Sequence, residues 1–281
     1  MVRKNRFFCP TLLTVENFKL SSLKNRKVIV TGAADGIGRA LALAFAKDGA
    51  QVAGCSRGTE RLDSLAKEIE GSGHIFFAAD LSKAEGVRAF FDKVLEAFGE
   101  IDVLVNNVGA VLKLGNFFEV SDEDWENSFQ VNLMSAVRLC RLSIPALRKS
   151  SCPRIINISS IAASHPQEIF PHYNAMKAGL SNLTVSLAQT LAEDGICVNT
   201  ISPGPVWSRS WEQAVEAQGN GPSAEQAKKD IMEQTGKSIP LKRMGMPEDL
   251  TGLALFLASE QSSWITATNF TVDGGLTRNP F

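Results

Sequence analysis

The feature that most constrains this chain is an alternation. Seven short runs rich in β-branched residues stand at Lys27–Val30, Gln51–Cys55, His74–Ala78, Asp102–Val105, Arg154–Ile158, Cys197–Ile201 and Asn269–Val272. Longer amphipathic stretches separate them, at Gly38–Lys47, Arg61–Ile69, Gly86–Phe98, Trp125–Leu147, Tyr173–Leu191 and Glu248–Ala258. The short runs are almost continuously apolar, as in strands covered on both faces. Strands and helices in this rhythm predict an α/β fold, a doubly wound and mostly parallel seven-stranded sheet with helices on both faces.

The 281 residues contain no repeat, low-complexity tract or linker that would split the domain. The expected organisation is an N-terminal arm over 1–20 and one domain over 21–281. Between Ile201 and Pro247 the rhythm breaks: there is no strand pattern, only two short helical ones at Glu212–Ala217 and Ala224–Gln234. An insertion this long after a strand's carboxyl end is expected to be a substrate lid, about 207–240.

A formal net charge of -1 argues against a nucleic-acid footprint. No apolar run has the length of a membrane span, and the apolar stretch after the basic start is broken by Pro10, so a cytoplasmic protein is expected; Arg3, Lys4 and Arg6 ahead of any acid leave an organelle-targeting start as the weaker alternative. The five cysteines, Cys9, Cys55, Cys140, Cys152 and Cys197, form no paired motif and read as reduced thiols. The histidines, His74, His165 and His172, lack metal-ligand spacing, and no metal is expected. His74 reads as structural, whereas His165 and His172 are candidates for lining a pocket. Trp207 and Trp211 could cap an apolar substrate or pack the insertion onto the domain.

The first strand runs into Thr31-Gly32-Ala33-Ala34-Asp35-Gly36-Ile37-Gly38, and a helix follows. Glycines there allow a tight turn and close approach of a pyrophosphate, which the helix N-terminus would attract. This is the Rossmann arrangement of a dinucleotide site. The second strand ends in Cys55-Ser56-Arg57, without the carboxylate that an NAD ribose would need. Arg57 can pair with a 2′-phosphate and Ser56 can add a hydroxyl, so NADP(H) is expected over NAD(H). Tyr173, the only tyrosine, and Lys177 stand one turn apart on a predicted helix. A nearby ammonium favours the phenolate and would lower its pKa. Ser160 follows the fifth strand and could hold a carbonyl oxygen near the tyrosine.

These residues carry a resemblance. TGAADGIG at Thr31–Gly38, Asp80-Leu81, NNVG at Asn106–Gly109, VNL at Val131–Leu133, Ser160, YNAMK at Tyr173–Lys177, NTISPGPV at Asn199–Val206, RMGMPED at Arg243–Asp249 and VDGG at Val272–Gly275 occur in order. The chain resembles the single-domain, NAD(P)(H)-dependent short-chain dehydrogenase/reductases, including those of the 3-oxoacyl-carrier-protein reductase kind, over about residues 21–278. The resemblance implies hydride transfer between nicotinamide and a carbonyl or secondary alcohol. It implies Tyr173 as general acid or base, Lys177 lowering its pKa and binding ribose, Ser160 positioning the substrate oxygen, and Asn132 supporting a proton-relay water. For the cofactor it implies Gly32, Ala34, Asp35, Gly36, Ile37 and Gly38 at the phosphates, with Ser56, Arg57, Asp80 and Leu81 around the adenosine. Asn106, Val108 and Gly109 would lie at the centre, and Pro203, Gly204, Val206 and Ser208 at the nicotinamide. Val108 and Ser208 depart from the usual alanine and threonine. The resemblance further implies a homotetramer or homodimer, and the long insertion suggests a bulky small-molecule or carrier-tethered substrate. An epimerase or dehydratase on the same fold, and a cofactor-sensing regulator without turnover, are the competing readings.

Overall fold

The computed structural model describes residues 23–208, 211–212 and 224–278. The arm expected over 1–20, Cys9, and parts of the expected lid and of the Glu212–Ala217 helical pattern lie outside the described residues.

Seven strands form one sheet: β1 Lys27–Thr31, β2 Gln51–Ser56, β3 Ile75–Ala78, β4 Val103–Asn106, β5 Arg154–Ile158, β6 Cys197–Pro203 and β7 Asn269–Val272. Their order is β3-β2-β1-β4-β5-β6-β7 and every pairing is parallel. Register is set by apolar residues, with Val28 opposite both Val52 and Val103. Successive strand residues feed opposite layers. Val28 and Val30 join one core with Leu41, Phe45 and Leu257; Ile29 joins the other with Phe90, Leu139 and Ile155. A strand that buries both faces has no position free for a polar alternation, which explains the continuous apolar runs.

The described α-helices are α1 Gly36–Lys47, α2 Glu60–Glu68, α3 Ala84–Phe98, α4 Asp122–Phe129, α5 Ser135–Leu147, α6 Pro171–Leu191, α7 Ala224–Ser238 and α8 Thr251–Ala258. Local signals fix several ends. Ser121 and Asp124 form a capping box on α4, Gly99 ends α3 in the left-handed region, and Pro171 starts α6. One expectation is corrected: Trp125–Leu147 is not a single helix. It begins at Asp122, and a five-residue π-turn, Gln130–Met134, separates α4 from α5. Likewise, a 3-10 turn at Pro247–Leu250 precedes α8 within the stretch expected as one helix.

The strand order reverses between β1 and β4. In open parallel sheets the crevice outside the carboxyl ends of such strands receives ligands. The residues singled out by sequence lie on the segments leaving those ends. Among the described residues, no helix is long and apolar enough to cross a membrane, and the four described cysteines are free and buried.

Candidate active site

The exits of β1 and β4 are stitched together by two side chains. Thr31 Oγ1 accepts from the backbone nitrogens of Asn107 (2.8 Å) and Val108 (3.0 Å). Asn107 Nδ2 donates to the Thr31 carbonyl (2.8 Å). This clamp leaves no room inside the glycine turn. A β-carbon on Gly38 would stand 2.1 Å from the Gly32 carbonyl oxygen and 2.5 Å from Asn107 Nδ2. Any other residue would open the turn. Asp35 caps α1 by accepting from Gly36 N (2.7 Å), Ala34 is buried and Ile37 is half-buried. Across the crevice, Ser208 lies within 3.6 Å of where a Gly36 β-carbon would be. The tight glycine turn at the start of α1, whose first N–H is capped by Asp35, is where a pyrophosphate would sit.

Asn106, the neighbour of Asn107, points the other way. Its amide donates to Asn157 Oδ1 (2.8 Å) and to Cys140 Sγ (3.2 Å) inside the domain. Val108 packs beside the glycine turn and against the sheet. At the β2 end, Ser56 is half-buried and exchanges hydrogen bonds with Gly58, while Arg57 is exposed. Burial raises the Asp80 carboxyl, but hydrogen bonds from Ser82 and the charges of Lys83 and Arg57 outweigh it and hold Asp80 below the usual range. The side chain of Leu81 belongs to the core.

Tyr173, Ser160, Lys177 and Asn132 converge. Ser160 follows β5 and starts a short 3-10 turn, accepting from Ala162 N (3.1 Å). Its hydroxyl is close enough to the Tyr173 phenol on α6 to lower the phenol's pKa. Lys177, 2 % exposed, lies one turn along, its Nζ donating to the Ile158 carbonyl (2.9 Å) and standing 5.7 Å from the Tyr173 ring centre. Asn132 occupies the π-turn and is fully buried. Its Oδ1 accepts from Ala110 N (2.9 Å), while its amide donates to Ala110 O (3.1 Å) and Ser128 O (3.2 Å). Gly109 makes this convergence possible: a β-carbon there would be 2.6 Å from Lys177 Nζ and 3.1 Å from Asn132 Oδ1.

The expected lowering of the Tyr173 pKa by Lys177 is not found in this structure. Burial pushes the phenol up to about 12, against the opposing hydrogen bond of Ser160. Burial also pushes Lys177 down to about 8. The same desolvation disfavours both charged forms. At neutral pH the phenol therefore keeps its proton.

The loop after β6 closes the other wall. Gly204 N donates to Val272 O (2.9 Å), Val206 is buried and bridges Gly245, and Pro203 ends the strand. Trp207 packs the insertion onto the domain rather than capping an open pocket. It is 6 % exposed and clusters with Ala227, Met244, Trp211 and Ile231. His172 is likewise not pocket-lining. Its ring is fully buried, edge-on to Trp125 at 6.1 Å, and burial lowers its pKa. His165 is half-buried beside Ser164 Oγ, and His74 fixes the β2–β3 connection through Val52 N and Glu70 O.

Sequence reasoning missed a buried polar chain behind α6. Asn157 donates to Thr184 Oγ1 (2.8 Å), and Thr200 donates to the same oxygen (2.8 Å), which itself donates to Leu180 O (3.1 Å). Ser159 Oγ donates to the Lys177 carbonyl (3.0 Å). These bonds tie α6 to β5 and β6. The available signal was Asn157, an amide in the otherwise apolar end of β5.

An apolar rim borders the crevice. Leu112, Leu114, Phe117, Phe118 and Ile169 are exposed, Phe118 by 94 %. Gly115 N donates to Ile169 O (2.9 Å), joining the segment after β4 to the one before α6. Phe170 then packs edge-on to Tyr173 at 5.8 Å.

Residues 32–277 match the protein family described as enoyl-(acyl carrier protein) reductase. The chain is 35% identical over 260 residues to an uncharacterized oxidoreductase of Bacillus subtilis, covering 92% of this chain and 98% of that one. It is 33% identical over 256 residues to a 3-oxoacyl-[acyl-carrier-protein] reductase of Thermotoga maritima, covering 90% and 98%. Among solved structures it is similar to L-sorbose reductase of Gluconobacter frateurii, complexed with NADPH and L-sorbose. The TM-score is 0.84 at 31% identity, covering 91% of this chain and 98% of that one.

Proposed function

The chain belongs to the short-chain dehydrogenase/reductase family of oxidoreductases, and from that premise we propose that it is an NADP(H)-dependent enzyme acting on a carbonyl or secondary alcohol. The observation that carries this reading is the convergence of Tyr173, Ser160, Lys177 and Asn132. When bound, the nicotinamide supplies or accepts the hydride. In the reductive direction the chain's own groups supply the rest. Ser160 holds the carbonyl oxygen, and the protonated Tyr173 phenol, 5.7 Å at its ring centre from Lys177 Nζ, donates to that oxygen as it gains charge. Lys177 then stabilises the phenolate that remains and would also bind the nicotinamide ribose. Asn132, held by Ala110, orders the water beside Lys177. The reverse sequence oxidises an alcohol.

NADP(H) over NAD(H) is supported by Arg57, exposed and free of a carboxylate at position 56, and by the NADPH complex of the Gluconobacter enzyme. The apolar rim of Leu112, Leu114, Phe117, Phe118 and Ile169 supports a bulky or carrier-tethered carbonyl with an apolar chain over a polyol. The insertion at about 207–240, of which 207–208, 211–212 and 224–240 are among the described residues, would serve as its lid. We assign a cytoplasmic location and a homotetramer or homodimer. Val185 on α6, 40 % exposed, and the half-buried Leu133 and Val137 suit a helix-to-helix contact between copies.

The test is turnover of a panel of ketones, acyl thioesters and polyols, followed at the nicotinamide absorbance with NADPH and with NADH. The reading predicts higher kcat/KM with NADPH and with apolar ketones. It also predicts that Ser56→Asp shifts preference toward NADH by about tenfold, the worth of one charge-assisted contact. A wild type that prefers NADH, or an epimerisation without net cofactor oxidation, overturns it.

A further inference from the structure

The charges around the glycine turn are not those of a simple phosphate cradle. Asp35 sits in the turn itself and places a carboxylate where the helix dipole already favours an anion. That carboxylate is paired with Arg61, the second residue of α2. Arg61 follows the connection that carries Ser56 and Arg57, and the two loops touch. Ala33 N donates to Cys55 O (3.0 Å), and Arg39 Nη1 donates to Ala34 O (3.4 Å) and Arg61 O (3.3 Å). Arg39 is itself committed to Glu68 and to Ser64 Oγ. The charge of Arg57 contributes to holding the Asp80 carboxyl below its usual range. Two carboxylates and two outward arginines therefore share the adenosine end of the crevice.

We infer that Arg61 is a specificity-determining residue for that end: by neutralising Asp35 it allows a 2′-phosphate to be held beside the glycine turn. The inference rests on the NADP(H) reading above. A phosphate monoester carries about -1.5 to -2 charge at neutral pH, and an uncompensated carboxylate in the turn would repel it. A guanidinium has donors on more than one edge, so Arg61 can keep Asp35 and still offer an N–H to phosphate oxygen. Both members of the pair are partly exposed, at 44% and 35%, so water and salt screen them and the effect is graded.

The experiment is calorimetric titration of the full chain with 2′,5′-ADP and 5′-AMP, probes that carry and lack the 2′-phosphate. Wild type, Arg61→Met, Asp35→Asn and the double variant are compared, with a thermal melt of each. Asn caps a helix about as well as Asp, so α1 should keep its start. Arg61→Met should weaken 2′,5′-ADP by about fivefold and 5′-AMP by less than about twofold, the size of one screened charge contact. Asp35→Asn should tighten 2′,5′-ADP, and the double variant should recover most of the loss, because the two charges are coupled. Should Arg61→Met melt early, Arg61→Gln replaces it. An arginine variant with unchanged 2′,5′-ADP affinity, or with equal loss of both probes, overturns the inference alone. A wild type that binds 2′,5′-ADP no better than 5′-AMP overturns the NADP(H) reading and this inference with it.

Discussion

The two ends of the crevice hold their polar groups in opposite ways. Around Tyr173 they are inside the protein: Asn132, Asn157, Thr184 and Lys177 are almost fully buried and hydrogen-bonded to backbone or to one another, while both ring nitrogens of His172 and Asn174 Oδ1 are buried without a hydrogen-bond partner among the described residues. Around the glycine turn the charges stand at the surface, in the Asp35–Arg61 pair, the Arg39–Glu68 pair and the exposed Arg57. A buried network gains from low dielectric but loses heavily when one partner goes. A surface pair is screened and worth little, but it can be retuned without endangering the fold. On the proposed function, chemistry would be placed where geometry is rigid, and cofactor choice where substitution is cheap.

This contrast can be broken or sharpened at graded points. The largest effect is expected at Lys177. Lys177→Met should lower kcat by at least about 10²-fold, since the phenolate loses its stabilising charge. It also tests the burial. Lys177 titrates at about 8 in the fold against 10.5 ordinarily, so between those values the unfolded chain binds more protons and stability rises with pH. Tyr173 acts oppositely only above its ordinary 10. From about pH 8 to 10 the wild type should therefore gain stability that Lys177→Met does not, as read by denaturant unfolding across that window. Equal pH dependence would contradict the buried amine.

A smaller effect is expected behind the site. Thr184→Val removes the hydroxyl shared by Asn157, Thr200 and Leu180. It should cost about 1–3 kcal/mol of stability by leaving buried donors unmet, while 5′-AMP affinity holds. Unchanged stability would show that the buried end is no more tightly coupled than the surface. Smallest is the several-fold change in 2′,5′-ADP affinity expected of Arg61→Met.

Much of this was legible in the sequence, and the exceptions share a cause. Five of the seven strands were readable because they are covered on both faces, which leaves a continuous apolar signature; the edge strands β3 and β7 are partly exposed. Tyr173, Lys177, Ser160 and Asn132 were readable as a set of chemical types at fixed spacing, and the structure brings them together. The π-turn was not, because one widened turn at Gln130–Met134 hardly disturbs the apolar periodicity on either side. Which asparagine holds the glycine turn was hidden as well. Asn106 and Asn107 are chemically identical, and only the register of β4 sends one inward and the other to Thr31. The upward shift of Tyr173 was hidden because it depends on burial, which spacing along a helix does not reveal. Trp207 became a packing residue only once α7 was in place beside it.

The account turns on Tyr173, and one measurement tests it most directly: kcat of Tyr173→Phe on a ketone that the wild type reduces with NADPH. The substitution removes one hydroxyl and keeps the ring against Phe170, so the fold and 2′,5′-ADP affinity should hold. Because the chain has a single tyrosine, the variant must also lack the phenolate absorbance that the wild type should develop only near pH 12. The account predicts a fall in kcat of at least about 10²-fold, the usual worth of a positioned proton donor. A Tyr173→Phe variant that reduces the same ketone at near wild-type kcat would contradict it.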